Sequence, residues 1–207
     1  MSVMKVIGLT GPTGAGKSEL CSCLARLGIP NINADKIYHK LLTPPSPCLD
    51  ALAAHFGEKI LKLDGTLNRK ALAAIVFAEG AENEHDMLNK ITHGFVLKRI
   101  RELIAEYSSA SCPAVVADIP LLFESEFYKE CDFNISVLAN RMVRIDRIMK
   151  RDGLDYSAAN ARVCAQQPDD FYISRSDTVI YNNSDGKELE AAAAKIFSLI
   201  TGGKYEK

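Results

Sequence analysis

The chain has 207 residues, 47% of them hydrophobic and 25% charged, with a formal net charge of −1 at pH 7. That length supports one α/β domain with an insertion, and the near-neutral charge excludes a general electrostatic affinity for nucleic acid or anionic membrane. No apolar run reaches the ~18 residues of a membrane span, and no leader pattern opens the sequence, so a cytoplasmic protein is expected.

In chain order, Val6-Ile7-Gly8-Leu9 reads as a buried strand, and Gly11-Pro12-Thr13-Gly14-Ala15-Gly16-Lys17-Ser18 follows as a complete G-x-x-x-x-G-K-[ST] phosphate loop. Leu20, Leu24 and Leu27 then recur at helical spacing. The glycines let the backbone aim its N–H groups at phosphate oxygens, and the opening helix adds the positive end of its dipole. Lys17 is expected to neutralise the β- and γ-phosphates and Ser18 to ligate Mg²⁺, so the chain is expected to bind a nucleoside triphosphate.

Gly28 ends the first helix, Ile29 to Asn33 reads as a second strand, and a helix follows at Lys36 to Leu42. Asp35 sits at the junction, where position alone leaves two roles open: a general base or a helix cap. Thr43-Pro44-Pro45-Ser46-Pro47 breaks the chain. Helical segments at about 48–56, 69–78 and 82–109, with a turn at Asp64-Gly65, then form an insertion without a convincing strand. Strands resume at Ala114 to Ala117, at about Phe133–Leu138 and at Thr178 to Ile180, before an alanine-rich helix at about 186–200. Short apolar strands separated by helices predict a five-stranded parallel sheet flanked by helices. Ligands of such sheets bind beyond the strand C-terminal ends, where Asp35, Asp118 and Asn182 should converge on the phosphate loop. Asp118 is placed either to hold Mg²⁺ or to cap a turn.

Between the last two strands, Arg144, Arg147, Lys150 and Arg151 share one arc of a helix, with Met142, Ile145, Ile148 and Met149 opposite. Such a face is either simply solvated or supplies cations to a migrating phosphoryl group. The six cysteines (Cys21, Cys23, Cys48, Cys112, Cys131, Cys164) include no C-x-x-C pair, and the four histidines no H-x-x-x-H pair. Small buried hydrophobes in a reducing compartment, rather than disulfides or a zinc site, are the expectation for the cysteines.

Several of these motifs stand in a fixed order. They are Thr10-Gly11 through Ser18, Ala34-Asp35, Asp64-Gly65-Thr66-Leu67-Asn68-Arg69, His93, Asp118-Ile119-Pro120-Leu121-Leu122-Phe123-Glu124, Arg147 to Leu154, and Val179-Ile180-x-Asn182. In that order, over about residues 5–183, the chain resembles the dephospho-CoA kinases. The resemblance implies a phosphate-loop NTPase core (about 1–42, 113–140 and 177–207), a helical CoA-binding insertion (about 43–112) and a lid (about 141–176). It implies ATP and Mg²⁺ as co-substrate and cofactor, with phosphorylation of the ribose 3′-hydroxyl of dephospho-CoA as the reaction. No nucleic-acid, membrane or protein partner is implied.

It further implies Asp35 as general base, Arg69, His93, Pro120 and Leu121 near the acceptor, Arg147 in the lid and Asn182 near adenine; Glu19 is placed with the loop as a nucleotide contact. This chain departs from the family pattern at His39, where arginine is usual, and at Gly94, which replaces a proline and should loosen a helix start there. It departs also at Glu19 and in Pro168 to Tyr172, which leaves Arg175 as the cation of that segment. Two other readings compete: a kinase for another small nucleotide or nucleoside, and a nucleotide-binding regulator with little turnover. Guanine-reading N-K-x-D is absent, since Asn89-Lys90 continues as Ile91-Thr92.

Overall fold

The computed structural model describes residues 4–184 and 186–202. Its strands are β1 (Lys5–Thr10), β2 (Asn31–Asn33), β3 (Ala114–Asp118), β4 (Phe133–Leu138) and β5 (Thr178–Tyr181). They form one five-stranded parallel sheet in the order β2-β3-β1-β4-β5. Central β1 pairs with β3 on one side, Ile7 opposite Val116, and with β4 on the other, Leu9 opposite Ile135. Every residue of β3 is buried, which explains why it reads as a continuous apolar run instead of an alternating one. The chain winds to one edge through β2 and β3, then returns past β1 to β4 and β5. The reversal occurs at β1, so the loop leaving β1 opens at the topological switch point.

Helices α1 (Lys17–Arg26) and α9 (Lys187–Thr201) share the core, with Leu20, Cys21 and Leu24 clustered with Leu189, Ala193 and Ile196 against the sheet. Leu27, the third leucine of the expected stripe, is 37% exposed. Helix α1 has already ended there: Leu27 is its C-terminal cap, and Ile29 N–H turns back to the Leu24 carbonyl at 3.0 Å.

Residues 33–103 form a second compact unit with its own core, and residues 1–32 and 104–207 form the first. The second unit holds α2 (Ala34–Leu41), α3 (Pro47–Phe56), α4 (Arg69–Val76) and most of α5 (Glu82–Ser109). It begins before the proline break because Tyr38, Leu41 and Leu42 join the cluster of Leu49, Leu52, Phe56, Ile60 and Leu72. Helix α5 runs through His93 and Gly94 without interruption, so no helix starts at Gly94. Glycine lowers helix propensity by about 1 kcal/mol but keeps its N–H and brings no ring clash, unlike proline.

Helices α6 (Arg141–Asp152), α7 (Tyr156–Cys164) and α8 (Asp169–Ile173) fill the segment before β5. Ile145 and Ile148 of α6 pack on Ala159 and Val163 of α7. The two faces of α6 depart from the expected division: Met142 is 62% exposed while Arg144 is only 5% exposed. Helix α6 is seated on the phosphate loop, so the position of Arg144 on the loop side outweighs its charge. A Cβ on Gly14 would stand 2.8 Å from the Arg144 carbonyl oxygen.

Candidate functional site

The phosphate loop is shaped by close packing from below. Gly16 caps α1 with φ +107°, a conformation strained for any residue with a Cβ, and a Cβ there would collide with the Asn182 amide. Lys17 opens α1 and folds back over the loop, its Nζ donating to the Gly11 carbonyl at 2.5 Å. Thr10, at the end of β1, donates its hydroxyl to the Pro120 carbonyl at 2.9 Å and so joins the loop to the segment after β3. Thr10 opens the run of motifs in the sequence, but nothing in its spacing marks this link to Pro120.

Asn182 follows β5 and is fully buried, at 0% exposure. Its Nδ2 donates to the Ala15 carbonyl at 2.9 Å, its Oδ1 accepts from Arg147 Nη2 at 3.3 Å, and its N–H donates to the Leu138 carbonyl at 2.8 Å. The side chain serves the loop rather than an open face. Arg147 completes this arrangement. Its Nη1 donates to the carbonyls of Gly14 and Ala15 at 3.3 Å and of Asn182 at 3.0 Å, and Nη2 reaches the Ser184 carbonyl at 3.0 Å. The guanidinium thus lies against main-chain carbonyls of the loop and of the segment after β5. Asn182→Ala should lower unfolding free energy by about 1–3 kcal/mol, because it strips a partner from the Ala15 carbonyl and from Arg147. Urea denaturation measures this, and a midpoint equal to wild type would refute it.

Asp118 ends β3 at 4% exposure. Its charge is felt by the Cys21 thiol, which burial, then Asp118, push up to about 12 against the opposing pull of Lys17. Asp118 and Lys17 therefore act on one neighbourhood. Ser18, exposed at the start of α1, and Asp118 supply a hydroxyl and a carboxylate, the hard oxygen donors that suit Mg²⁺. Among the described residues no group of three His, Cys, Asp or Glu could hold a metal ion. Leu121 is exposed after Pro120, whereas Ile119, Leu122 and Phe123 are core. The Glu19 carboxylate lies over Gly186 at the start of α9, where the helix dipole favours it; its side chain is turned to α9.

In the helical unit, Asn33 caps α2: its Oδ1 accepts from the Lys36 N–H at 2.8 Å. The capping role is thus filled, and the Asp35 carboxylate is exposed in the first turn. Arg69 opens α4, delivered by a turn in which Asp64 accepts from the Thr66 N–H at 2.9 Å and by the Asn68 cap. Its Nη2 lies 3.5 Å from His39 Nδ1, so His39 partners Arg69. His93 is half-buried in α5, and burial pulls its imidazole below the ordinary value. Arg175 stacks over the Phe171 ring at 4.3 Å and donates to the Phe171 carbonyl at 3.1 Å, which ties it to α8.

Known proteins resemble the chain along nearly its full length. The sequence profile described as dephospho-CoA kinase matches residues 5–188. A dephospho-CoA kinase of Anaeromyxobacter dehalogenans is 36% identical over 97% of this chain and 94% of its own. One from Carboxydothermus hydrogenoformans is 35% identical over 100% of this chain and 98% of its own. Among solved structures, a dephospho-CoA kinase from Campylobacter jejuni superposes with a TM-score of 0.62 at 26% identity, covering 97% of this chain and 100% of that one. A shikimate kinase from Acinetobacter baumannii, at 18% identity and a TM-score of 0.53, covers 99% of this chain and 97% of its own and shares the fold. With the profile spanning most of its length and relatives above 30% identity along nearly all of it, the chain belongs to the dephospho-CoA kinase family.

Proposed function

We propose that this chain transfers the γ-phosphoryl group of ATP to the ribose 3′-hydroxyl of dephospho-CoA, giving CoA and ADP. The observation that carries the reading is the phosphate loop held at the switch point by Asn182 and Arg147, within a chain of this family. Lys17 and the loop N–H groups bind the donor phosphates and stabilise the charge that develops on them. Ser18 and Asp118 would hold Mg²⁺, which supplies charge neutralisation at the β- and γ-phosphates when bound. Asp35 orients the acceptor hydroxyl and takes its proton as the new phosphorus–oxygen bond forms and the bond to ADP breaks. Arg69, His93, Pro120 and Leu121 contact the acceptor. Arg147 acts on the loop as a positioning residue, and helices α6 to α8 form the lid. We place the enzyme in the cytoplasm; no described helix is long and apolar enough to cross a membrane.

The test is ADP release with Mg-ATP and dephospho-CoA, beside adenosine, AMP and phosphopantetheine as rival acceptors. Turnover with dephospho-CoA alone is expected, with CoA as the product by mass. Preference for any rival, or ATP binding without transfer, would overturn the reading.

A further inference from the structure

Thr13 lies in the middle of the phosphate loop, and each of its three polar groups meets a side chain from the α6–α7 hairpin. Its carbonyl accepts from Arg144 Nε at 3.0 Å, its N–H donates to Gln166 Oε1 at 3.1 Å, and its hydroxyl accepts from Arg151 Nη2 at 3.5 Å. The first two bonds fix successive peptide planes, since the N–H belongs to the Pro12–Thr13 peptide and the carbonyl to Thr13–Gly14. The hairpin is itself braced. Asp152 pairs with Arg151 at 2.7 Å and with Arg162 of α7 at 2.5 Å, above the packed Ile145, Ile148, Ala159 and Val163.

Arg144 is an unfavourable residue for stability alone. Its guanidinium is buried, and among the described residues Nη2 has no hydrogen-bond partner. A buried, partly unsatisfied charge opposes folding, and an apolar side chain of similar length would avoid that penalty. What arginine adds at this position is a charged donor aimed at the loop.

We propose that Arg144 and Gln166 are positioning residues that grip Thr13 from both sides and set the loop N–H groups for the triphosphate before it binds. A loop so held spends less binding energy on ordering itself. This rests on the reading of the loop as the ATP site, and it assigns the hairpin a task on the donor even when no acceptor is present.

The test is calorimetric binding of Mg-ATP and of inorganic tripolyphosphate to the full chain and to Gln166→Leu, Arg144→Met and Arg144→Lys. Arg144→Met is expected to weaken both ligands about tenfold and Gln166→Leu about threefold, the scale of one lost hydrogen bond each. Arg144→Lys, which keeps a charged donor, should recover most of the loss. In steady state, KM for ATP should rise while KM for dephospho-CoA stays unchanged. Wild-type affinity for tripolyphosphate in both the Met and Leu variants would overturn the proposal. So would a parallel loss of dephospho-CoA affinity, which would indicate general loosening. Gln166 is exposed, so its variant decides the matter if Arg144→Met does not fold. Should wild-type protein prefer another acceptor, the functional reading fails while the tripolyphosphate result still judges the grip on Thr13.

Discussion

Lys17→Met is expected to lower kcat/KM for ATP by about 10³-fold, the scale seen when a charged or oriented donor is removed from a developing phosphoryl charge. Methionine is unbranched like lysine and matches it in helix propensity, so α1 should form as before. What disappears is the ammonium that folds back to the Gly11 carbonyl and lies along the loop. Burial of Leu20, Cys21 and Leu24 holds the helix in place independently of that contact. Thermal unfolding should therefore change little while turnover collapses. Steady-state kinetics with varied ATP provides the measurement. A variant within about fivefold of wild-type kcat/KM would remove Lys17 from the catalytic machinery.

Asp35→Asn should lower kcat by ~10²-fold or more, the range for loss of a general base, and leave ATP affinity near wild type. The substitution is clean because the helix does not depend on it. Asn33 caps α2, and Asp35 contributes only a first-turn charge worth about 0.3–1 kcal/mol to the dipole. Asparagine retains the shape and can still hydrogen-bond a hydroxyl, but cannot take its proton. Calorimetric titration with ATP, set beside kcat for dephospho-CoA, separates the two effects. Near wild-type kcat would make Asp35 a binding residue, and a parallel loss of ATP affinity would make it part of the donor site.

The residues that sequence reads well are those whose local pattern and tertiary role coincide. Strand β1, the loop and the start of α1 combine an apolar run, fixed glycines and helical spacing, and each pattern is imposed by the same sheet and the same core. Asp35 was ambiguous for a physical reason. Asn33 and Asp35 are both good capping residues two positions apart, and only the backbone geometry decides which one turns to the Lys36 N–H. Arg144 shows the opposite limit. Periodicity placed it on a charged arc, yet its surroundings are the underside of a loop more than a hundred positions away in sequence, which no local window contains. Gln166 carries even less signal, since it follows α7 in a polar stretch where nothing distinguishes it from a solvated side chain. Asn182 is marked by its place at a strand end and Arg147 by its place on a charged helical arc, but their task, holding carbonyls from beneath, becomes clear only from the hydrogen bonds.

The buried Cys21 has a consequence for redox chemistry. It lies one helical turn after Lys17, within the nucleotide-binding half, and burial followed by the Asp118 charge holds its thiol well above the ordinary value, so the reactive thiolate is disfavoured at neutral pH. Thiol–disulfide exchange proceeds through the thiolate and needs access to it. The proposed acceptor and product both carry a thiol of their own, and their oxidised forms are disulfides able to cap protein cysteines. Cys21 is insulated from that exchange by the same burial that makes it part of the core. The enzyme can therefore handle a thiol metabolite in either redox form without its donor site becoming modified at this position.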